Sequence, residues 1–123
     1  MVKYFVGNKK LSFKSLSPYD PLICEFLDIF SKNLNNDKKI ENLSDLKTLA
    51  FWCRKKNIDI LKNKYATKDL RLGLGLVFHV TPSNIPTNFA YSLIFGLLTG
   101  NSNIVKVPSQ NFEQIKIICN NLN

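Results

Sequence analysis

The sequence predicts an α/β chain in which leading helices precede a strand, helix, strand, helix run. Three observations carry that expectation. Apolar residues recur at three- and four-residue steps from Leu22 to Leu34 and again from Leu46 to Leu61, as the buried stripe of an α-helix requires. Beyond residue 70 the pattern becomes a near-continuous apolar run, LGLVFHV at 74–80, as in a strand buried on both faces. A second short run, SNIVKV at 102–107, lies one helix length further on.

Each element has its own signals. YFV near the start reads as a short strand in a loosely alternating segment. Asp20 caps the first helix and Pro21 suits its first position; Leu22, Ile23, Phe26, Leu27, Phe30 and Leu34 form its stripe. The polar stretch NLNNDKKIEN at 33–42 reads as a loop. A second helix starts near Ser44 as N-cap and runs to about Tyr65, with Leu46, Leu49, Ala50, Cys53, Ile60 and Leu61 on one side. Phe51 and Trp52 either widen that apolar face or meet another subunit. After the charged linker TKDLR comes the first strand, then the polar connector VTPSNIPTN at 80–88. Thr87 to Thr99 reads as an apolar helix closed by Gly100, which can adopt the left-handed backbone that ends helices. The second strand follows, Pro108 and Ser109 turn the chain, and Phe112, Ile115, Ile118 and Cys119 share one face of a last helix. Two strands joined by a helix make a βαβ unit, so the sheet should be parallel with a right-handed crossover. Two strands cannot cover themselves, and the fold is expected to be incomplete.

Composition narrows the functions. At 123 residues and 45% hydrophobic content the chain can build one core and is not disordered as a whole. Seventeen Lys and Arg against nine Asp and Glu give a net charge of +8, which raises the question of nucleic acid. The lysines are spread from Lys3 to Lys116, arginines number only two, and Lys, Asn and Ile share A/T-rich codons, so coding bias accounts for the excess. The densest basic stretch, Arg54 to Asn57 with Lys62, Lys64 and Lys68, reads as a solvated helix face, and no nucleic acid partner is expected. Cys24, Cys53 and Cys119 show no paired spacing and fit free thiols in a reducing cytoplasm. The N-terminus lacks the apolar core of a signal peptide, and FAYSLIFGLL is about half of the ~20 residues a membrane span needs.

The connector is the candidate site, because ligands of open α/β sheets collect at the carboxyl ends of the strands. Asn84 can present a carboxamide N–H above the sheet, and the next helix adds unpaired backbone donors. From the residues alone the favoured reading of Asn84 is that it shapes the turn or caps the helix, the usual work of Asn beside Pro. GLG at 73–75 is not a dinucleotide fingerprint, since it precedes the strand and no third glycine opens a helix. His79, the single histidine, has no second ligand at metal spacing and reads as a satisfied buried residue; no metal is expected.

VTPSNIPTN followed by a helix and then TGNSNIVKVPS resembles the start of the cofactor domain in the aldehyde dehydrogenase superfamily. Together with DLKTLAFWCRKKNIDILKNKY, these segments are similar to LuxC-type acyl-CoA reductases, a branch of that superfamily, over residues 44–110. The resemblance implies an N-terminal helical region at 1–70 and, at 71–123, the truncated start of an aldehyde-dehydrogenase-like, Rossmann-type NAD(P)-binding domain. It implies a reaction in which a cysteine takes the acyl group from coenzyme A as a thioester and NADPH reduces it to a fatty aldehyde. Asn84 matches the family's oxyanion-stabilising asparagine. Thr81, Pro82 and Ser83 match positions whose backbone runs beside the cofactor, and Lys106 matches the lysine that meets the adenosine ribose. By residue type alone Lys106 is equally a surface lysine at a strand end. Ser109 and Gln110 fall where NAD-preferring relatives carry Ser and Glu; here Val107 is inserted before Pro108, and neutral Gln110 beside Lys106 would tolerate a ribose 2′-phosphate, so NADPH is the expected cofactor.

None of the three cysteines matches the family's nucleophile, which lies beyond residue 123, so the chain alone is not expected to reduce acyl-CoA. The expected partners are a fatty acyl-CoA or acyl donor protein, the remainder of the reductase, and a second copy in a homo-oligomer. The alternative is a non-catalytic interaction module that docks a partner through its open sheet edge and the Trp52 helix.

Overall fold

The computed structural model describes residues 1–123. Helix α1 spans Pro21–Asn36, and its first turn is held as the sequence predicts: the Asp20 carboxylate accepts the Leu22 N–H at 2.9 Å and Pro21 needs no partner. The helix runs into the polar stretch expected to be a loop, because Leu34 is fully buried and carries the last turn into the core. A single 3₁₀ turn, Lys38–Ile40, follows. Tyr4–Val6 do not form the expected strand, and residues 1–20 contain no helix or strand.

The helix expected from Ser44 to Tyr65 is two helices, α2 (Ser44–Cys53) and α3 (Lys55–Lys64), and Ser44 is the first helical residue rather than the cap. Arg54 separates them in an extended conformation, φ −60° and ψ 142°. An unbroken helix would turn Ile60 toward the side of Leu46 and Cys53 and push Ile58 outward. The kink reverses the two: Ile58 is 1% exposed and Ile60 56%.

Several groups freed by the kink find new partners. The Arg54 N–H donates to Phe51 O at 3.3 Å, which leaves the Ala50 carbonyl without its helical donor; the Ser31 hydroxyl of α1 donates to it at 2.6 Å. Asn57 Nδ2 also donates to Phe51 O. The open first turn of α3 donates its Lys55 N–H to Asp28 Oδ1 of α1 at 3.0 Å, and Lys32 pairs with the same carboxylate at 2.6 Å. Asp28 therefore acts as an N-cap supplied from another helix.

Strand β1 (Leu76–Val80), helix α4 (Asn88–Leu98) and strand β2 (Ser102–Lys106) form a βαβ unit whose two strands pair in parallel, with Leu76 opposite Ser102 and Val80 opposite Lys106. Helix α5 (Glu113–Leu122) returns to pack on α1. Phe89, Ala90, Ile94 and Leu98 of α4 join Leu27, Phe30 and Leu34 of α1, the inner faces of α2 and α3, and Ile115, Ile117, Ile118 and Cys119 of α5 in one apolar cluster. Strand β1 is shorter than the apolar run and is not covered on both faces: Phe78 is 63% and Val80 67% exposed. The two-stranded sheet has open edges, as the count of strands requires. No helix is long and apolar enough to cross a membrane.

Two measurements check the kink. Ser31→Ala strands the buried Ala50 carbonyl and should lower the unfolding free energy by about 1–3 kcal/mol in denaturant titration. The Asp28 carboxyl lies below the usual carboxylate range, chiefly through the Lys32 hydrogen bond and then through the Lys55 N–H, with burial opposing. A depressed folded-state value means that its contribution is complete above the ordinary aspartate range near about pH 4 and is lost as pH falls through the folded value. Asp28→Asn keeps an acceptor and loses the charge, so the acid limb of its stability profile should be flatter.

Candidate functional site

Because Val80 and Lys106 are register partners, β1 and β2 end side by side, about 4.8 Å apart across the ladder. The connector after β1 (residues 81–87) and the turn after β2 (residues 107–112) therefore leave the same end of the sheet. This is the carboxyl end, where the sequence placed the candidate residues.

Their environments differ. Thr81 is half-buried and its Oγ1 is shut off from solvent with no hydrogen-bond partner. Pro82, Ser83 and Asn84 are exposed. Asn84 lies in a backbone turn with Ser83, so the turn-shaping role stands, while its carboxamide makes no hydrogen bond and does not cap α4. The residue at the cap of α4 is Thr87, which is buried and uses no side-chain bond. The expected row of unpaired backbone donors at the start of α4 is largely taken up: the Asn88 N–H donates to Ile85 O at 3.4 Å, and the Ala90 and Tyr91 N–H groups donate to Thr87 O at 3.0 and 3.3 Å. Across the ladder Lys106 is exposed, and the molecule's one ion pair, Asp28–Lys32, leaves it without a carboxylate. Ser109 and Gln110 are exposed in the bend after Pro108.

A groove of about 600 Å³ runs from this end down the side of β1, between the strand and the outward face of α4. Thr81 and Pro82 belong to its wall; Ser83, Asn84, Lys106, Ser109 and Gln110 do not. Its floor includes His79, and Asn88, Ser92 and Phe95 of α4 line the opposite side. These α4 positions were not singled out in the sequence, where the helix reads as uniformly apolar. Asn88 and Ser92, one turn apart, were the available signal.

The base of the groove is a polar chain. His79 Nε2 lies 2.8 Å from Asn103 Oδ1, Asn103 Nδ2 donates to Asn101 O at 2.8 Å, and Asn101 Oδ1 accepts the Leu74 N–H at 2.6 Å. Because Asn103 spends its amide hydrogens on Asn101, its oxygen faces the imidazole and Nε2 is the donor. His79 is satisfied, as expected, but lines the groove instead of lying fully buried. No three His, Cys, Asp or Glu side chains gather where a metal ion could sit.

The cysteines are far from thiolate character. Burial pushes the Cys53 thiol up to about 12 and raises Cys119 in the same way. Cys24 is also raised by burial, with Lys62 opposing, and its thiol donates to Tyr19 O at 3.6 Å. None has the electropositive, accessible setting of a nucleophile.

Compared with known proteins, the chain matches the family model described as acyl-CoA reductase (LuxC) over residues 53–122, more than half its length. No curated protein and no solved structure matches it.

Alkylation by iodoacetamide should separate the thiols. In the folded chain at neutral pH, Cys53 and Cys119 should stay unmodified over hours; all three should react within minutes in denaturant. Mass mapping of the alkylated sites checks both outcomes.

Proposed function

Because this chain belongs to the acyl-CoA reductase (LuxC) family, we propose that it is the N-terminal part of an NADPH-dependent fatty acyl-CoA reductase. In this reading residues 71–123 begin a Rossmann-type cofactor domain of the aldehyde dehydrogenase kind, and the thioester-forming cysteine comes from outside residues 1–123. The observation that carries the reading is the pairing of Val80 with Lys106, which sends the Asn84 connector and the Lys106 strand end out of the sheet together.

The side chains at that end suit a phosphorylated dinucleotide. Lys106 offers an ammonium without an internal partner, Ser109 and Gln110 are neutral and exposed, and the buried Thr81 hydroxyl is left over by the fold. When bound there, NADPH supplies a hydride for an acyl carbonyl. Lys106 meets the adenosine ribose, and Gln110, carrying no charge, does not repel a 2′-phosphate as a glutamate would. Thr81, Pro82 and Ser83 run their backbone beside the cofactor.

Asn84 acts on the acyl group. Negative charge grows on the carbonyl oxygen as a thiolate attacks acyl-CoA and again as the thioester is reduced. A carboxamide with no internal bond to break can donate to that oxygen in both steps, and one such donor contributes about 3–4 kcal/mol to transition-state stabilisation. The half-buried, protonated Cys24 and the buried Cys53 and Cys119 are packing residues. The acyl donor, a fatty acyl-CoA or an acyl carrier, and the rest of the reductase are the partners this reading requires.

Thermal denaturation of the chain with NADPH or NADH tests the reading. At roughly a hundred times its dissociation constant NADPH should stabilise by about 2.7 kcal/mol, a shift of several degrees in Tm. NADH should do less, Lys106→Ala should abolish the shift, and Asn84→Ala should leave it intact. In the chain joined to the remaining reductase, Asn84→Ala should lower kcat by about 10²–10³. A chain indifferent to both nucleotides would instead be a docking module, and the reading would be lost.

A further inference from the structure

The segment from Phe51 to Leu74 combines two features. It holds seven basic residues against two acidic ones, most of the chain's net positive charge. It also leaves seven large apolar or aromatic side chains exposed, among them Trp52, Ile60, Leu70 and Leu72. On α3, Lys56, Ile60 and Lys64 follow one another at four-residue steps and share the side turned away from Ile58. Trp52 stands at the end of α2, half-exposed, with its ring edge-on to Phe51 at 6.4 Å. None of these lysines is neutralised, since the only ion pair of the molecule is Asp28–Lys32.

We propose that the outward side of α3, with the exposed Trp52 before it and Leu70 and Leu72 after it in the chain, is a peripheral docking surface for an anionic lipid bilayer. The mixture selects this occupant. A polyanion in water would engage the lysines and leave Leu70, Leu72 and Ile60 exposed. A protein partner would favour a dry apolar centre with charges at its rim, whereas here ammonium groups and apolar side chains alternate along one helix side. A bilayer accepts both at once: the apolar tips enter the acyl boundary while the flexible lysine stems hold their charges at the phosphates. Without the kink at Arg54, Ile60 would face the core, so the break in the helix creates this surface. The inference stands on charge and exposure and does not depend on the acyl-CoA reading.

Trp52 is the only tryptophan and reports on its own surroundings. With vesicles of equimolar phosphatidylglycerol and phosphatidylcholine, its emission should move to shorter wavelength, lipids brominated on the acyl chain should quench it, and the chain should sediment with the vesicles. Pure phosphatidylcholine vesicles should do none of this, and high salt should reverse it. Lys56→Glu with Lys64→Glu, both exposed and confirmed folded by circular dichroism, should weaken partitioning by roughly tenfold or more; Ile60→Ser should reduce acyl-chain quenching. The proposal is overturned if the folded chain neither sediments nor shifts with anionic vesicles, or if an oligonucleotide shifts Trp52 emission as far as the vesicles do.

Discussion

The sheet depends on a place where three stretches of backbone meet too closely for any side chain. The Leu16 N–H donates to Gly100 O at 2.9 Å, and the Gly73 N–H donates to Leu16 O at 3.0 Å. A Cβ on Gly73 would strike the Gly100 carbonyl, and one on Gly100 would strike that of Leu16. Gly100 also has φ +85°, a conformation that favours glycine. One step on, the Ser102 N–H donates to Gly75 O at 2.8 Å and opens the ladder. This junction sets which residue of β2 faces which residue of β1, and from it follows that Val80 meets Lys106 at the far end. Of the two glycines that make no phosphate loop, Gly73 lets these backbones touch, while Gly75 holds φ +110° at the entry to β1.

A second constraint keeps α4 close to the strands. Gly96 lies over the His79–Asn103 pair, and a methyl group there would collide with both side chains. The helix can therefore rest on a polar contact between the strands without separating it. Thr99 completes the arrangement by donating to Phe95 O and accepting from Asn101 Nδ2 at 2.9 Å. Bonds of this kind contribute modestly when made and cost more when a buried partner is stranded, so the corner behaves as a unit. Its effect at the site is indirect: it fixes the slope of α4 against β1 and hence the groove between them.

Much of this was legible because it is local. Asp20 and Pro21 announce the start of α1, Gly100 the end of α4, and the change of period after residue 70 the parallel strands. The break at Arg54 was not, since nothing in the residues 53–55 forbids a helix; it is imposed by Ser31 and Asp28, more than twenty residues away in sequence for the latter. Burial of β1 was overestimated for the converse reason: an apolar run tells what a strand requires, and Phe78 and Val80 are left uncovered by the elements present. At the site, the turn chemistry of VTPSNIPTN fixed where the connector lies, but not that Asn84 would be free of its own backbone, which only the three-dimensional arrangement decides. The wall of the groove on α4 was hidden by an apolar average over the helix.

The ladder stops at Lys106, and Val107 lies past its last rung. An added residue within a strand would swing every later side chain to the opposite face, whereas one added here only lengthens a bend. The turn after β2 is thus a place where chain length can change while the lysine keeps its position, and where a designer could graft a longer segment without disturbing the scaffold beneath.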